Sequence, residues 1–175
     1  MTKIEEQELL TRVWELEQCY KSVANYLSDN ATDLEYLVTD RRLTPVRAHE
    51  FDAGLDLFAS DDYELKQGER VLVNTGVRVK IPRGYVGLLV PRSSLSKSNI
   101  VMTNSIGIID SDYRGDLLAS LMYNGMANSR YVDKYEKIVQ LLIVPIKLTR
   151  LIEGNEYSWV DTDRGIGGFG STGKH

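Results

Sequence analysis

Cysteine is nearly absent from this chain, and Cys19 is its single copy. That excludes an intramolecular disulfide and any metal centre built from a cysteine cluster. Histidine is almost as scarce. His49 and His175 are too few and too distant for a histidine metal site or a Ser-His-Asp triad. Long apolar runs are missing as well. The longest, at residues 141–146, falls far short of the ~20 residues a membrane-spanning helix needs. Neither sign of charge dominates, since 21 basic side chains meet 25 acidic ones for a net charge of −4. Such a balance gives no general attraction to a nucleic-acid backbone, although it leaves room for a local basic site. The opening MTKIEEQE is polar and acidic, unlike a secretory signal. A cytoplasmic protein without stable nucleic-acid or membrane partners is the expectation.

What is present is 175 residues with 42% apolar content, enough for one domain with a substantial core and too apolar for a disordered chain. Two regions differ in period. Through residue 38 the texture is helical, with Leu10, Val13, Trp14, Glu17, Tyr20, Val23, Ala24 and Leu27 at spacings of three and four. Ser28, Asp29 and Asn30 interrupt the pattern, and Thr32 or Asp33 is placed to cap a short second helix through Leu37. Residues 1–38 therefore read as a helical hairpin packed on the body or on another subunit. A coiled oligomerisation helix and a degenerate helix-turn-helix are the alternatives, the latter disfavoured by an acidic segment with no basic face. Trp14 and Cys19 are expected to serve packing here.

From Leu43 the texture changes. All four prolines and all 14 glycines lie beyond it, punctuating short β-rich runs at 70–81, 85–90, 106–109, 117–123 and 138–147. Val71, Val73, Val77, Val79 and Ile81 keep local parity on either side of Gly76, as strands with one buried face do. No stretch of helical period separates the runs, so parallel βαβ units are not expected. The pattern predicts an all-β antiparallel barrel or jelly-roll sandwich over residues 39–160, with a glycine-rich arm at 161–175.

Four stretches of this region join turn residues to polar groups. In AGLDLF, Asp56 alternates with Leu55 and Leu57 and so points away from the face they bury. A carboxylate there can hold Mg²⁺ directly or through water, or can simply satisfy turn amides. In PRSSL, Arg92 offers a planar fork to phosphate oxygens, and Ser93 and Ser94 offer hydroxyl and amide donors. Arginine beside serines is also ordinary surface. In NSIGIIDSDYRGD, Ile106, Ile108 and Ile109 deliver Asn104 at one end and Asp110 at the other, as a hairpin would. Asn104 presents both a donor and an acceptor to a base edge. Asp110 can take a proton from water or hold a sugar hydroxyl, and Tyr113 can lie against a sugar. A tight turn with Asp110 and Asp112 as local acceptors is the plain alternative. In EKIVQL, Gln140 is the one amide in an apolar strand, so it must be paired or face a site.

The fifth stretch is RGIGGFGSTG, within which residues 168–174 fit the phosphate-loop pattern G-x-x-x-x-G-K. A nucleotide-binding P-loop needs a Ser or Thr behind the lysine to meet magnesium, and His175 stands there instead. The glycines supply accessible amides, Arg164, Ser171 and Thr172 supply phosphate donors, and Phe169 supplies a face for stacking. A lid that orders on a phosphate-bearing aromatic ligand is the reading.

Taken together, AGLDLFA, PRSSLS, NSIGIIDSDYRGDL, YEKIVQLLIVPI and RGIGGFGSTG resemble the five motifs of the trimeric dUTPases, in family order. The likeness covers residues 43–173, about three-quarters of the chain. It implies a jelly-roll β-sandwich assembled as a threefold homotrimer, with active sites formed between subunits and closed by the carboxy-terminal arm. It implies a dUTP diphosphatase that hydrolyses dUTP to dUMP and pyrophosphate, with Mg²⁺ as cofactor. Asp110 would then activate the attacking water, and Asp56 would orient the magnesium's water shell. Arg92, Ser93, Ser94 and Gln140 would bind the phosphate chain. Asn104 and the backbone around Gly107 would read uracil, while Tyr113 lies beneath the deoxyribose. Phe169 would stack over the base, with Arg164, Gly170, Ser171 and Thr172 clamping the phosphates.

Three positions depart from the family pattern. Ser94 and Tyr135 stand where the family usually has glycine, and Val139 replaces a usual alanine. Residues before 38 have no counterpart, which leaves a protein partner for the helices open. The nearest rivals are dCTP deaminase and a bifunctional deaminase–diphosphatase, which share the fold and an Arg-Ser-Ser sequence. Deaminase chemistry looks for a glutamate in the strand after the third motif, and LLASLMY contains no acid. A trimeric nucleotide-binding regulatory or interaction protein is the remaining alternative.

Overall fold

The computed structural model describes residues 3–30, 32–155 and 162. One continuous helix, α1, runs Lys3–Asn30. The expected hairpin does not form, because Glu35–Val38 makes strand β1 instead of a second helix. It pairs antiparallel with β5, Val77–Lys80, and Lys80 forms an ion pair with Glu35 across the ladder. A helix of one or two turns cannot nucleate unaided, whereas a strand edge supplies every backbone partner at once. Within one chain Trp14 and Cys19 are both exposed, so neither packs on the body.

The remaining strands are β2 (Leu55–Phe58), β3 (Tyr63–Lys66), β4 (Arg70–Asn74), β6 (Tyr85–Pro91) and β7 (Ile100–Met102). They continue with β8 (Gly107–Ile109), β9 (Leu118–Tyr123), β10 (Ser129–Val132) and β11 (Lys137–Pro145). A short helix, α2, covers Ser93–Lys97 directly after β6. Four small sheets result, in the orders β2-β11-β6-β8, β4-β9-β7, β1-β5 and β3-β10. Every pairing between these described strands is antiparallel.

The parity around Gly76 holds, but β4 and β5 do not pair with each other. β4 joins β9 and β5 joins β1. Gly76 takes φ of +67°, and its N–H donates to Asn74 Oδ1 at 2.7 Å. Buried Thr75 fixes the same turn by donating to the Leu117 carbonyl at 2.8 Å. The turn thus hands the chain from one sheet to another, and Val73 and Val77 enter the core from different sheets. Leu57, Leu65, Leu89, Leu121 and Leu141 have no exposed surface there, each contributing about 2–3 kcal/mol by burial.

Candidate active site

The outer face of the four-stranded sheet carries a polar cluster. Asp56 in β2 lies opposite Gln140 in β11, which in turn lies opposite Val90 in β6. Directly opposed residues share a face, so Asp56 and Gln140 emerge together while Leu57, Leu89 and Leu141 point into the core. A bulge in β11 brings a third group. The register shifts between Lys137 and Val139, so Lys137 opposes Phe58 while Gln140 opposes Asp56. Phe58 and Asp56 are two residues apart, hence on one face. Lys137 and Gln140 therefore share that face although they are three apart in sequence. Lys137 Nζ lies 3.0 Å from Asp56 Oδ2, and Arg92 Nε donates to Asp56 Oδ1 at 2.9 Å. Both oxygens of a carboxylate only 6% exposed are thus engaged.

Lys137 is the member of this cluster that sequence reasoning missed. A charge opening an apolar strand was the available signal, but its face depends on a bulge that no residue type marks. Gly54 supports the cluster by lacking a side chain. A Cβ there would stand 3.0 Å from Gln140 Cβ and nearer still to Gln140 Oε1. Arg92 is the residue that precedes α2, and its Nη1 reaches the Lys137 carbonyl at 3.4 Å and Ser94 Oγ at 3.5 Å. Ser93 and Ser94 form the first turn of α2.

The two departures from glycine have opposite structural consequences. Ser94 is not among the residues with positive φ, so the helix accepts serine without strain. Tyr135 takes φ of +69°, a conformation that favours glycine. Its side chain compensates. The hydroxyl donates to Asp40 Oδ2 at 2.8 Å, and the Arg42 guanidinium stacks 4.3 Å from the ring centre. Hydrogen bonds from Arg42, joined by the Tyr135 hydroxyl, hold the Asp40 carboxyl far below the usual carboxylate range.

A second group surrounds β8. The expected hairpin of residues 104–110 is absent, because β7 pairs with β9 while β8 pairs with β6. Thr103 anchors the crossing: its N–H donates to the Ser120 carbonyl at 2.8 Å, and the two hydroxyls lie 2.6 Å apart. Ser105 then takes φ of +57°, and the Ile106 N–H donates to the Asn104 carbonyl at 2.5 Å. Asn104 stands exposed at this turn. Gly107 packs closely on β6, where a Cβ would come 3.1 Å from Leu89 Cβ. Asp110 follows β8, exposed, and its carboxylate has no side-chain partner among the described residues. Tyr113 lies over Gly115, where a Cβ would come 2.7 Å from Tyr113 Cζ, and its hydroxyl donates to the Asp116 carbonyl at 2.9 Å.

Register shows how far apart the two groups are. Asp56 and Gln140 share a row with Val90, whereas Ile109 pairs with Gly87 and Asp110 lies one residue beyond. Four residues along the strands and three strands across put Asp110 about 20 Å from Asp56. Between them the same face carries half-buried Leu88, Leu142, Val86 and Val144, with Ile108 62% exposed. One copy of the chain does not bring Asp110 to the cluster around Asp56.

Arg164, Phe169, Gly170, Ser171 and Thr172 lie outside the described residues, as do Trp159 and His175. Among the described residues no three of His, Cys, Asp and Glu gather as a resident metal requires. With both Asp56 oxygens engaged by Arg92 and Lys137, the carboxylate is not open to direct ligation, which leaves contact through the water of an ion carried by a polyphosphate. No helix among the described residues is long and apolar enough to cross a membrane.

The sequence profile of the dUTPase family matches residues 42–173. A deoxyuridine 5′-triphosphate nucleotidohydrolase of Mycolicibacterium vanbaalenii is 42% identical over 149 residues, spanning 82% of this chain and 97% of its own. The chain belongs to the dUTPase family. Among solved structures it is similar to a mutant of the Staphylococcus bacteriophage 80alpha dUTPase with dUpNHpp, at a TM-score of 0.74 and 30% identity. That match covers 82% of this chain and 99% of the phage enzyme. A mutant dUTPase from phage phi11 of S. aureus, described with a structural Mg(II) ion, aligns at a TM-score of 0.66 and 28% identity. It covers 73% of this chain and 100% of its own. The small antiparallel sheets are the jelly-roll sandwich of this family.

Proposed function

We propose that the chain hydrolyses dUTP to dUMP and pyrophosphate, in a homotrimer whose active sites draw on more than one subunit. The observation that carries this reading is the separation of Asp110 from the cluster of Asp56, Arg92, Lys137 and Gln140. Both groups belong to the motifs that match the family, yet about 20 Å of sheet divides them. A neighbouring copy seated on the apolar strip between them closes that gap. The strip is otherwise a partly exposed apolar surface, of the kind that partner subunits cover.

In this reading the phosphate chain lies along Arg92, Ser93, the Ser94 amide and Gln140. Positioning and charge neutralisation dominate such a reaction, since water attack on phosphorus needs little covalent help from the protein. Asp110 of a neighbouring subunit takes a proton from water as its oxygen attacks the α-phosphorus. The bond from that phosphorus to the bridging oxygen breaks, and pyrophosphate carries away the charge. Asn104 and the backbone at Gly107 contact uracil, and Tyr113 lies against the deoxyribose. Arg164, Phe169, Gly170, Ser171 and Thr172 close over the bound nucleotide. When bound, Mg²⁺ supplies charge neutralisation on the phosphates. Asp56 would hold that ion through water, and Lys137 holds the carboxylate in place.

Product analysis with dUTP, dTTP, UTP and dCTP tests the proposal. dUMP and pyrophosphate from dUTP alone are expected. Ammonia from dCTP would move the assignment to a deaminase, and binding without turnover would move it to a regulatory nucleotide-binding protein.

A further inference from the structure

α1 leaves an apolar stripe without cover. Leu9, Val13, Leu16 and Tyr20 are between 45% and 74% exposed, and a lone helix in water gains little of its stability from propensity. Their spacing is four, three and four, and the sequence continues at three and four with Val23 and Leu27 inside the same helix. This is the heptad repeat of a coiled coil, with Leu9, Leu16 and Val23 at d and Val13, Tyr20 and Leu27 at a. The charges follow the same register. Glu8 and Glu15 fall at outer c positions and Lys21 at b. Arg12 falls at g and Glu17 at the next e, the two positions that meet between parallel neighbouring helices. Trp14 is the one large apolar side chain in residues 9–20 placed at an outer position, at b.

We propose that the partner of this stripe is the same stripe of two further copies, so that α1 forms a parallel three-stranded coiled coil joined to the β body. The inference rests on the threefold reading above. Cyclic symmetry places three copies of one helix parallel and in register, which satisfies the Arg12–Glu17 pair once at each of the three helix–helix seams. Only one heptad, Val13 with Leu16, has the β-branched-a and Leu-d pattern of two-stranded coils. Tyr20 at a, Val23 at d and Leu27 at a do not follow it, and the body sets the number of strands.

Cys19 gives a direct test, because it is exposed and the chain holds no other cysteine. A nitroxide on Cys19 of the full chain reports helix-to-helix distance by pulsed dipolar spectroscopy, while sedimentation reports the number of copies. A trimer with a narrow distance peak at about 20–30 Å is expected, from helices 8–10 Å apart plus the label arms. Leu16→Asp and Arg12→Glu each broaden or lengthen that distribution, and Arg12→Glu with Glu17→Arg restores it. Hydrogen exchange over residues 9–20 of the unlabelled chain follows the same order, slow in the parent and at least tenfold faster in Leu16→Asp. Turnover of dUTP stays within twofold throughout. A trimer with dispersed labels, or one indifferent to Leu16→Asp, overturns the coiled coil and leaves the shared active site standing. A monomer overturns both.

Discussion

Asp56 and Asp110 are both carboxylates associated with the same sheet, yet their surroundings are opposite. Asp56 is buried between Arg92 and Lys137, with each oxygen engaged. Asp110 stands exposed, without a side-chain partner among the described residues. A carboxylate held by two cations is positioned by the fold, and disturbing it costs stability as well as binding. A carboxylate held by nothing contributes little to stability and remains available to a ligand and a water. In the proposed reaction, the contrast separates a group that organises the site from one that does chemistry in it.

The sharpest way to break that contrast is Asp110→Asn. Its kcat for dUTP should fall by about 10²–10⁴, the usual worth of a general base. Its affinity for a nonhydrolysable analogue should stay within a few-fold, and its thermal midpoint should barely move. A variant that lost affinity while keeping kcat would remove Asp110 from the chemical step. Arg92→Ala probes the other side. Loss of the guanidinium leaves Lys137 as the only cation on Asp56, at a cost of about 2 kcal/mol. A raised KM and a lowered unfolding midpoint in denaturant should appear together.

Gly54→Ala tests the same cluster more gently. The added methyl displaces the Gln140 amide, so KM should rise several-fold while kcat and stability change little. An unchanged KM would mean that Gln140 does not touch the phosphates. The smallest effect lies outside the site, at Tyr135. Asp40 is held ionised below its ordinary range near 4, so its bonds stabilise the fold fully above that range, and the gain shrinks as pH falls below it toward the far lower folded-state value. Tyr135→Phe should therefore melt below the parent at pH 7, with the gap closing under acid conditions. A gap that persists in acid would separate the effect from the ionisation of Asp40.

Much of this was legible in the residues. Alternation around Gly76 marked the buried valines, and the third stretch marked Asn104, Asp110 and Tyr113. Pairing partners were not legible, because short strands of similar composition differ only in which edge they meet. Residues 104–110 read as a hairpin, but β8 joined β6 while the preceding β7 joined β9 in another sheet, held by Thr103 against Ser120. β1 read as helix because Leu34 and Leu37 are three residues apart, a spacing that suits either element until the free edge of β5 decides. Lys137 was hidden by the bulge, which changes its face without changing the sequence. The α1 stripe was visible as a period, but not its exposure.

Mixing the two impaired variants tests the shared site most directly, with turnover read at dUTP well below the raised KM of Arg92→Ala. Asp110→Asn keeps the cluster around Arg92, and Arg92→Ala keeps Asp110. Denatured together in equal amounts and refolded, they should regain about a quarter of parental dUTP turnover by random assortment in trimers. Mixed samples no more active than either variant alone would contradict the account, because they would place both groups of a working site on one chain.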